Sequence, residues 1–187
     1  LIQCSQTHFE QGLLLAKEME NELKAYREHI DTMGLVMLCF YAFQVCFGAA
    51  DFAYAHFWLE RILAKEANEV RQDIYHFTHI LRLITVFEMN DSTLLRSTII
   101  STYRFLYTQK ANYQLDKLIL AFLRQLTNTK NEKQLTVMFT QFLKDLEQLK
   151  QDSFERKVFA YFDFVAWTKS KINGESFATS IAKAKTN

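Results

Sequence analysis

The chain contains no proline and only four glycines in 187 residues, and this scarcity constrains its fold more than any other feature. Proline and glycine punctuate tight turns, hairpins and strand ends, because proline pre-sets φ and glycine reaches left-handed backbone without steric cost. A chain almost without them is expected to run in long helices joined by short polar connections. The side-chain pattern agrees. Apolar residues recur at three and four positions along almost the whole sequence, and no stretch sustains the two-residue alternation of a half-buried strand. The expected class is all-α.

Residues able to cap free backbone N–H groups locate the helix starts. Asp31, Asp51, Asp91, Asn112, Asn131 and the pair Asp152-Ser153 each precede a periodic apolar segment. They predict helices over residues 8–30, 32–48, 52–66, 71–89, 92–108, 113–127, 132–150 and 153–172, with a short ninth helix after Gly174. Asp51, Asp91 and Asn131 fall forty residues apart, and Asp31, Asn112 and Asp152 lie near the same grid, which reads as an internal repeat. Superposing the second helices aligns Ala55 with Leu95 and Leu135, Leu59 with Ile99 and Phe139, and Leu63 with Tyr103 and Leu143.

A two-helix hairpin cannot bury its apolar faces alone, whereas several stacked in one direction share a continuous core. The expected architecture is therefore a single domain of stacked antiparallel hairpins forming a short α-solenoid. Its units fall at about 31–70, 71–111, 112–151 and 152–187. Residues 1–30 read as the second helix of a preceding unit, with an apolar stripe of Leu15, Met19, Leu23, Tyr26 and Ile30 beside Glu18, Glu20, Glu22 and Glu28. The chain starts at Leu1 rather than Met and is expected to be the C-terminal part of a longer protein.

The run Tyr41 to Leu63, YAFQVCFGAADFAYAHFWLERIL, resembles a tetratricopeptide repeat. Ala50 stands at the small turn residue, Phe52 at the aromatic, Ala55 at the packing alanine and Ile62-Leu63 at the closing apolar pair. Later units carry Asn90 at the turn and Leu95 and Leu135 at the alanine, and their period is nearer forty than the roughly 34 residues of that repeat. The units are thus degenerate or elongated. The chain, including its ending YFDFVAW at Tyr161 to Trp167, is similar to tetratricopeptide-like parts of uncharacterised bacterial proteins. The resemblance implies a superhelical fold and a habit of binding proteins or peptides, and no reaction.

Composition excludes several classes. Hydrophobic residues make up 49% and aromatics 14%, enough for a core without metal or disulfide staples. The net charge of +1 gives no global field toward nucleic acid or an anionic membrane, so neither is an expected partner. Cys4, Cys39 and Cys46 lack CxxC or finger spacing and read as reduced, buried thiols. The longest apolar run, Gly34 to Ala50, is interrupted by Gln44 and falls short of the roughly 18 residues of a membrane span. With no secretory signal visible, a cytoplasmic location is expected.

Signals of chemistry are sparse. Asp73, His76 and His79, in steps of three beside Arg82, would share one helix face and could offer two imidazoles and a carboxylate to zinc. The spacing is less suited than that of HExxH, and Arg82 would repel a cation, so a polar helix face is the preferred reading. No GxSxG elbow or glycine-rich phosphate loop is present, and neither catalysis nor a cofactor is expected. Between residues 91 and 133, Arg96, Arg104, Lys110, Lys117, Arg124, Lys130 and Lys133 outnumber Asp91, Asp116 and Glu132. Lys117 and Arg124, seven apart, would share a helix face near Tyr113 and Gln114 and suit a carboxylate-bearing peptide. The expected function is a protein- or peptide-binding scaffold using the concave face, with His76, His79, Arg82, Lys117 and Arg124 as contacts. The alternatives are a ligand- or peptide-sensing regulatory domain and, more remotely, a helical metalloenzyme.

Overall fold

The computed structural model describes residues 6–25, 29–65, 70–108, 113–129 and 131–186. Its helices are α1 (Gln6–Ala25), α2 (Thr32–Gly48), α3 (Phe52–Leu63), α4 (Gln72–Glu88), α5 (Ser92–Thr108), α6 (Gln114–Leu126), α7 (Glu132–Leu149), α8 (Phe164–Asn173) and α9 (Phe177–Thr186). A 3-10 helix at Glu155–Ala160 lies between α7 and α8. No strand occurs among the described residues, so the protein is all-α. No described helix is long and apolar enough to cross a membrane.

The caps explain where the helices begin. Side chains of Asp31, Asp51 and Asn131 accept from the backbone N–H of Gly34 (2.8 Å), Tyr54 (3.1 Å) and Lys133 (3.0 Å). Asp91 accepts from Thr93 and Leu94 at 3.0 and 2.9 Å. Each satisfies a donor that has no intrahelical acceptor. Immediately before Asp51 and Asp91 stand Ala50 and Asn90, with left-handed φ of 60° and 57°. The expected cap Asn112, with Cys4, Tyr26, Glu28, Lys110 and Lys130, lies outside the described residues, as do 26–28 at the end of the expected first helix.

The expected helix over 153–172 is corrected. Asp152 accepts from the N–H groups of Phe154 and Glu155 at 2.7 and 3.1 Å and starts only the 3-10 turn. The chain then extends through Phe162 and restarts at Asp163, whose carboxylate accepts from Ala166 N–H at 2.9 Å. The cause is aromatic packing. Phe162 and Phe164 are both buried with ring centroids 5.1 Å apart, whereas residues two apart on a continuous helix point to different faces. Gly174, at φ 63°, ends α8 in left-handed backbone.

The chain divides into two compact units, Leu1–Met89 and Asn90–Asn187, and the division falls inside the expected 71–111 repeat. In the first unit α1 packs on α2, α2 on α3 and α3 on α4. Gly48 lets α1 approach α2 closely, since a Cβ there would sit 2.2 Å from the ring of buried Phe9. In the second unit α5 through α9 pack in sequence order, apart from the interposed 3-10 turn. Its centre is aromatic: Phe122 stacks on Phe142 at 3.9 Å, and Trp167 meets Phe139 and Phe142 edge-on.

The forty-residue alignment carries over unevenly into packing. Ala55, Leu95, Leu59 and Phe139 are buried, Leu135, Ile99, Leu63 and Leu143 are half-buried, and Tyr103 is exposed. Along the aromatic-rich residues 154–167, Phe162, Phe164 and Trp167 are buried, Phe159 and Val165 are half-buried and Phe154 is exposed.

Candidate functional site

The three α4 positions read as contacts sit mainly inside the first unit. His76 is only 5% exposed, while His79 and Arg82 are half-buried. Arg82 Nη1 donates to Glu60 Oε1 at 3.2 Å, and the same oxygen lies 3.4 Å from His56 Nε2. Burial, reinforced electrostatically by Arg82 and then by His76, lowers the His79 pKa to about 3, so its ring is neutral near pH 7. Burial also holds His56 below its usual range, against the pull of Glu60. His76 is thus buried in the first unit, while half-buried His79 and Arg82 keep part of their surface open and Arg82 is tied to α3 through Glu60.

The metal alternative gains no geometry from this arrangement. Asp73 is held by Arg71, whose Nε donates to Asp73 Oδ1 at 3.1 Å. Among the described residues no group of three His, Cys, Asp or Glu side chains is arranged to hold a metal ion. Ser97, Ser101 and the two described cysteines are engaged or buried. Ser97 and Ser101 donate to the carbonyls of Leu94 and Thr98 within their own helix. Cys39 and Cys46 are buried free thiols, and burial pushes Cys46 up to about 12, far from the thiolate form. A wide depression of about 550 Å³ beside the α2–α3 turn is lined by Ala49, Phe52, Ala53, Met89 and two carboxylates, Glu88 and Asp51, the latter already engaged by the Tyr54 N–H and by Lys17.

Lys117 and Arg124, in contrast, are exposed on α6, opposite a buried face of Leu115, Ile119, Phe122 and Leu126. Between them Ala121 is also exposed, so two cations flank a small apolar seat. The nearby acid Asp116 is buried, and Asp91 is occupied as the α5 cap.

The N-terminal turn of α6 is built by a residue from far along the chain. Glu155, 2% exposed, accepts from the backbone N–H of Gln114 at 2.8 Å and of Leu115 at 3.2 Å. A buried carboxylate is stable there because free N–H groups and the positive end of the helix dipole face it. The contact carries its neighbours along. Phe154, 51% exposed, stacks on Tyr113 with ring centroids 4.9 Å apart. Arg156 and Lys157, both exposed, follow Glu155 directly in the chain, and exposed Lys117 lies about one helical turn after Tyr113.

The result is a stacked aromatic pair, Phe154 exposed and Tyr113 half-buried, with exposed cations close by in sequence on two segments about forty residues apart. It can hold a carboxylate by charge-assisted hydrogen bonds and an aromatic or aliphatic side chain by stacking. Phe154, Arg156 and Lys157 were missed in sequence, where Asp152-Ser153 followed by Glu155 reads as an ordinary first helical turn. No local signal couples Glu155 to residues 114 and 115. Lys117 and Arg124 belong to the second unit and the α4 residues to the first. Comparison of the chain with models of known protein families, with curated proteins and with solved structures finds no match.

Proposed function

We propose that the chain is a protein- or peptide-binding module, tetratricopeptide-like in its helical pairing, that captures an acidic segment of its partner. The carrying observation is the Tyr113–Phe154 stack, with exposed Lys117, Arg156 and Lys157 within four residues of its rings along the chain and Arg124 farther along the same face as Lys117. Stacking anchors an apolar side chain of the ligand, and the cations fix a carboxylate two or three residues away along an extended or helical peptide. Glu155 supports this role by holding both segments in register without itself facing solvent. The inert thiols and engaged hydroxyls favour recognition over catalysis.

The test is fluorescence anisotropy with labelled peptides that carry two or three Asp or Glu residues beside a Phe or Leu. Lys117→Glu with Arg156→Glu should weaken binding at least about tenfold, equivalent to about 1.4 kcal/mol, while helicity and urea midpoint stay close to wild type. Affinity should also fall as salt rises, since exposed charge pairs are screened over about 8 Å at physiological ionic strength. Equal affinity of the double variant and wild type would remove this surface as the site.

A further inference from the structure

Two helices far apart in sequence carry complementary exposed stripes. On α1, Glu10, Leu14, Glu18 and Glu22 recur every four residues, with Leu15 on the same side, and all are exposed. Leu14 and Leu15 are 64% and 65% exposed, on the side opposite buried Phe9, Ala16 and Leu23. Lys17, the one lysine or arginine among the described α1 side chains, stands at the edge of this stripe and is engaged on its far side: its Nζ lies 3.6 Å from Asp51 and over the Tyr54 ring. The stripe therefore presents two adjacent leucines between acids.

On α5, Arg96, Ile100 and Arg104 recur at the same four-residue step, with Tyr103 and Tyr107 beside them, and all five are exposed. Tyr107 is 82% exposed, and the rings of Tyr103 and Tyr107 stack at 6.4 Å. The opposite side of α5 buries Leu95, Thr98 and Thr102. Eight residues of helix span about 12 Å, so the Glu10 to Glu18 and Arg96 to Arg104 intervals match. Each pattern is charge, apolar, charge, and the signs are opposite.

We infer that α1 of one copy of this chain docks on α5 of a second copy, Leu14 and Leu15 packing against Ile100 and Tyr103 while Glu10 and Glu18 pair with Arg96 and Arg104. Neither stripe is self-complementary, because like charges would meet, so the contact is heterologous. It closes as a two-fold dimer only if both copies engage reciprocally, and otherwise propagates head to tail. The match in spacing and the apolar centre fit an amphipathic helix laid against a helical face. This contact uses α5 rather than the surface around Tyr113 and Phe154, so it stands or falls separately from the peptide-binding proposal.

Sedimentation velocity on the purified chain supplies the test, with concentration raised from about 1 to about 100 μM, the range in which small transient interfaces form. Wild type should pass from its 22.1 kDa monomer to species of two or more copies. Its association constant should drop at least about tenfold between about 50 and about 500 mM salt. Glu10→Arg with Glu18→Arg, and separately Arg96→Glu with Arg104→Glu, should each remain monomeric. An equimolar mixture of the two variants should associate again, because each keeps one native stripe and their reversed stripes are also complementary. Misfolding of either variant could not produce that rescue. A wild type monomeric throughout at low salt, undiminished association of either variant, or no association in the mixture would overturn the inference.

Discussion

Replacing Glu155 by alanine tests how the second unit is held together. The carboxylate is buried and accepts from two N–H groups, one of them on fully buried Leu115. Hydrogen bonds to a charged group contribute about 1.5–3 kcal/mol each, and desolvation of the carboxylate offsets part of that sum. Cap removal elsewhere costs about 0.5–2 kcal/mol, and here the orphaned Leu115 N–H has poor access to water. Loosening the Tyr113–Phe154 stack adds about 0.5–1.5 kcal/mol. The expected loss for Glu155→Ala is about 2–4 kcal/mol, and Glu155→Gln, which retains one acceptor, should lose about half as much. Urea unfolding followed by circular dichroism measures the loss. Hydrogen exchange localises it, because the Leu115 amide should lose protection while that of Ile119, inside the helix, changes less. A loss below about 0.5 kcal/mol, the level of ordinary surface changes, with Leu115 still protected would refute the capping argument.

Gly48→Ala should destabilise by about 1–3 kcal/mol, because its Cβ would overlap the ring of Phe9 and push α1 from α2; an unchanged urea midpoint would show that α1 is not seated there. His79 gives a pH dependence. Its folded pKa of about 3 lies below the ordinary 6.5, so the unfolded chain binds the proton first and stability falls as pH drops from about 6.5 towards 3. The slope is at most about 1.4 kcal/mol per pH unit. Urea midpoints across that range should decline less steeply in His79→Leu, and parallel curves would contradict the assignment.

Much of the framework was legible because helix starts are local. Asp31, Asp51, Asp91 and Asn131 cap the helices that follow them, and each is recognisable from a polar residue standing before an apolar period. Asp163 escaped notice because it lies between Phe162 and Phe164, where the aromatic run reads as continuous helix and only packing requires the break. The exposure of Lys117 and Arg124 follows from their common face on a strongly amphipathic α6. The burial of His76 was not legible in the same way, since its surroundings on α4 are set by helices packed from other parts of the chain. Arg156 and Lys157 depend on a hydrogen bond spanning forty residues, which no periodicity encodes.

That same long-range bond bears on the order in which the protein is made. In the first unit each helix packs on the next, so local contacts of low sequence separation can form as the chain grows. The start of α6 cannot be completed on that schedule, because its acceptor lies 40 residues beyond Leu115. At the roughly 5–20 residues per second of synthesis, Glu155 follows Leu115 by about 2–8 s. During that interval the first turn of α6 has only water for its free N–H groups, and the stack between Tyr113 and Phe154 does not yet exist. The first turn of α6 therefore closes later than the sequential helix contacts around it, only when the segment bearing Glu155 returns to it.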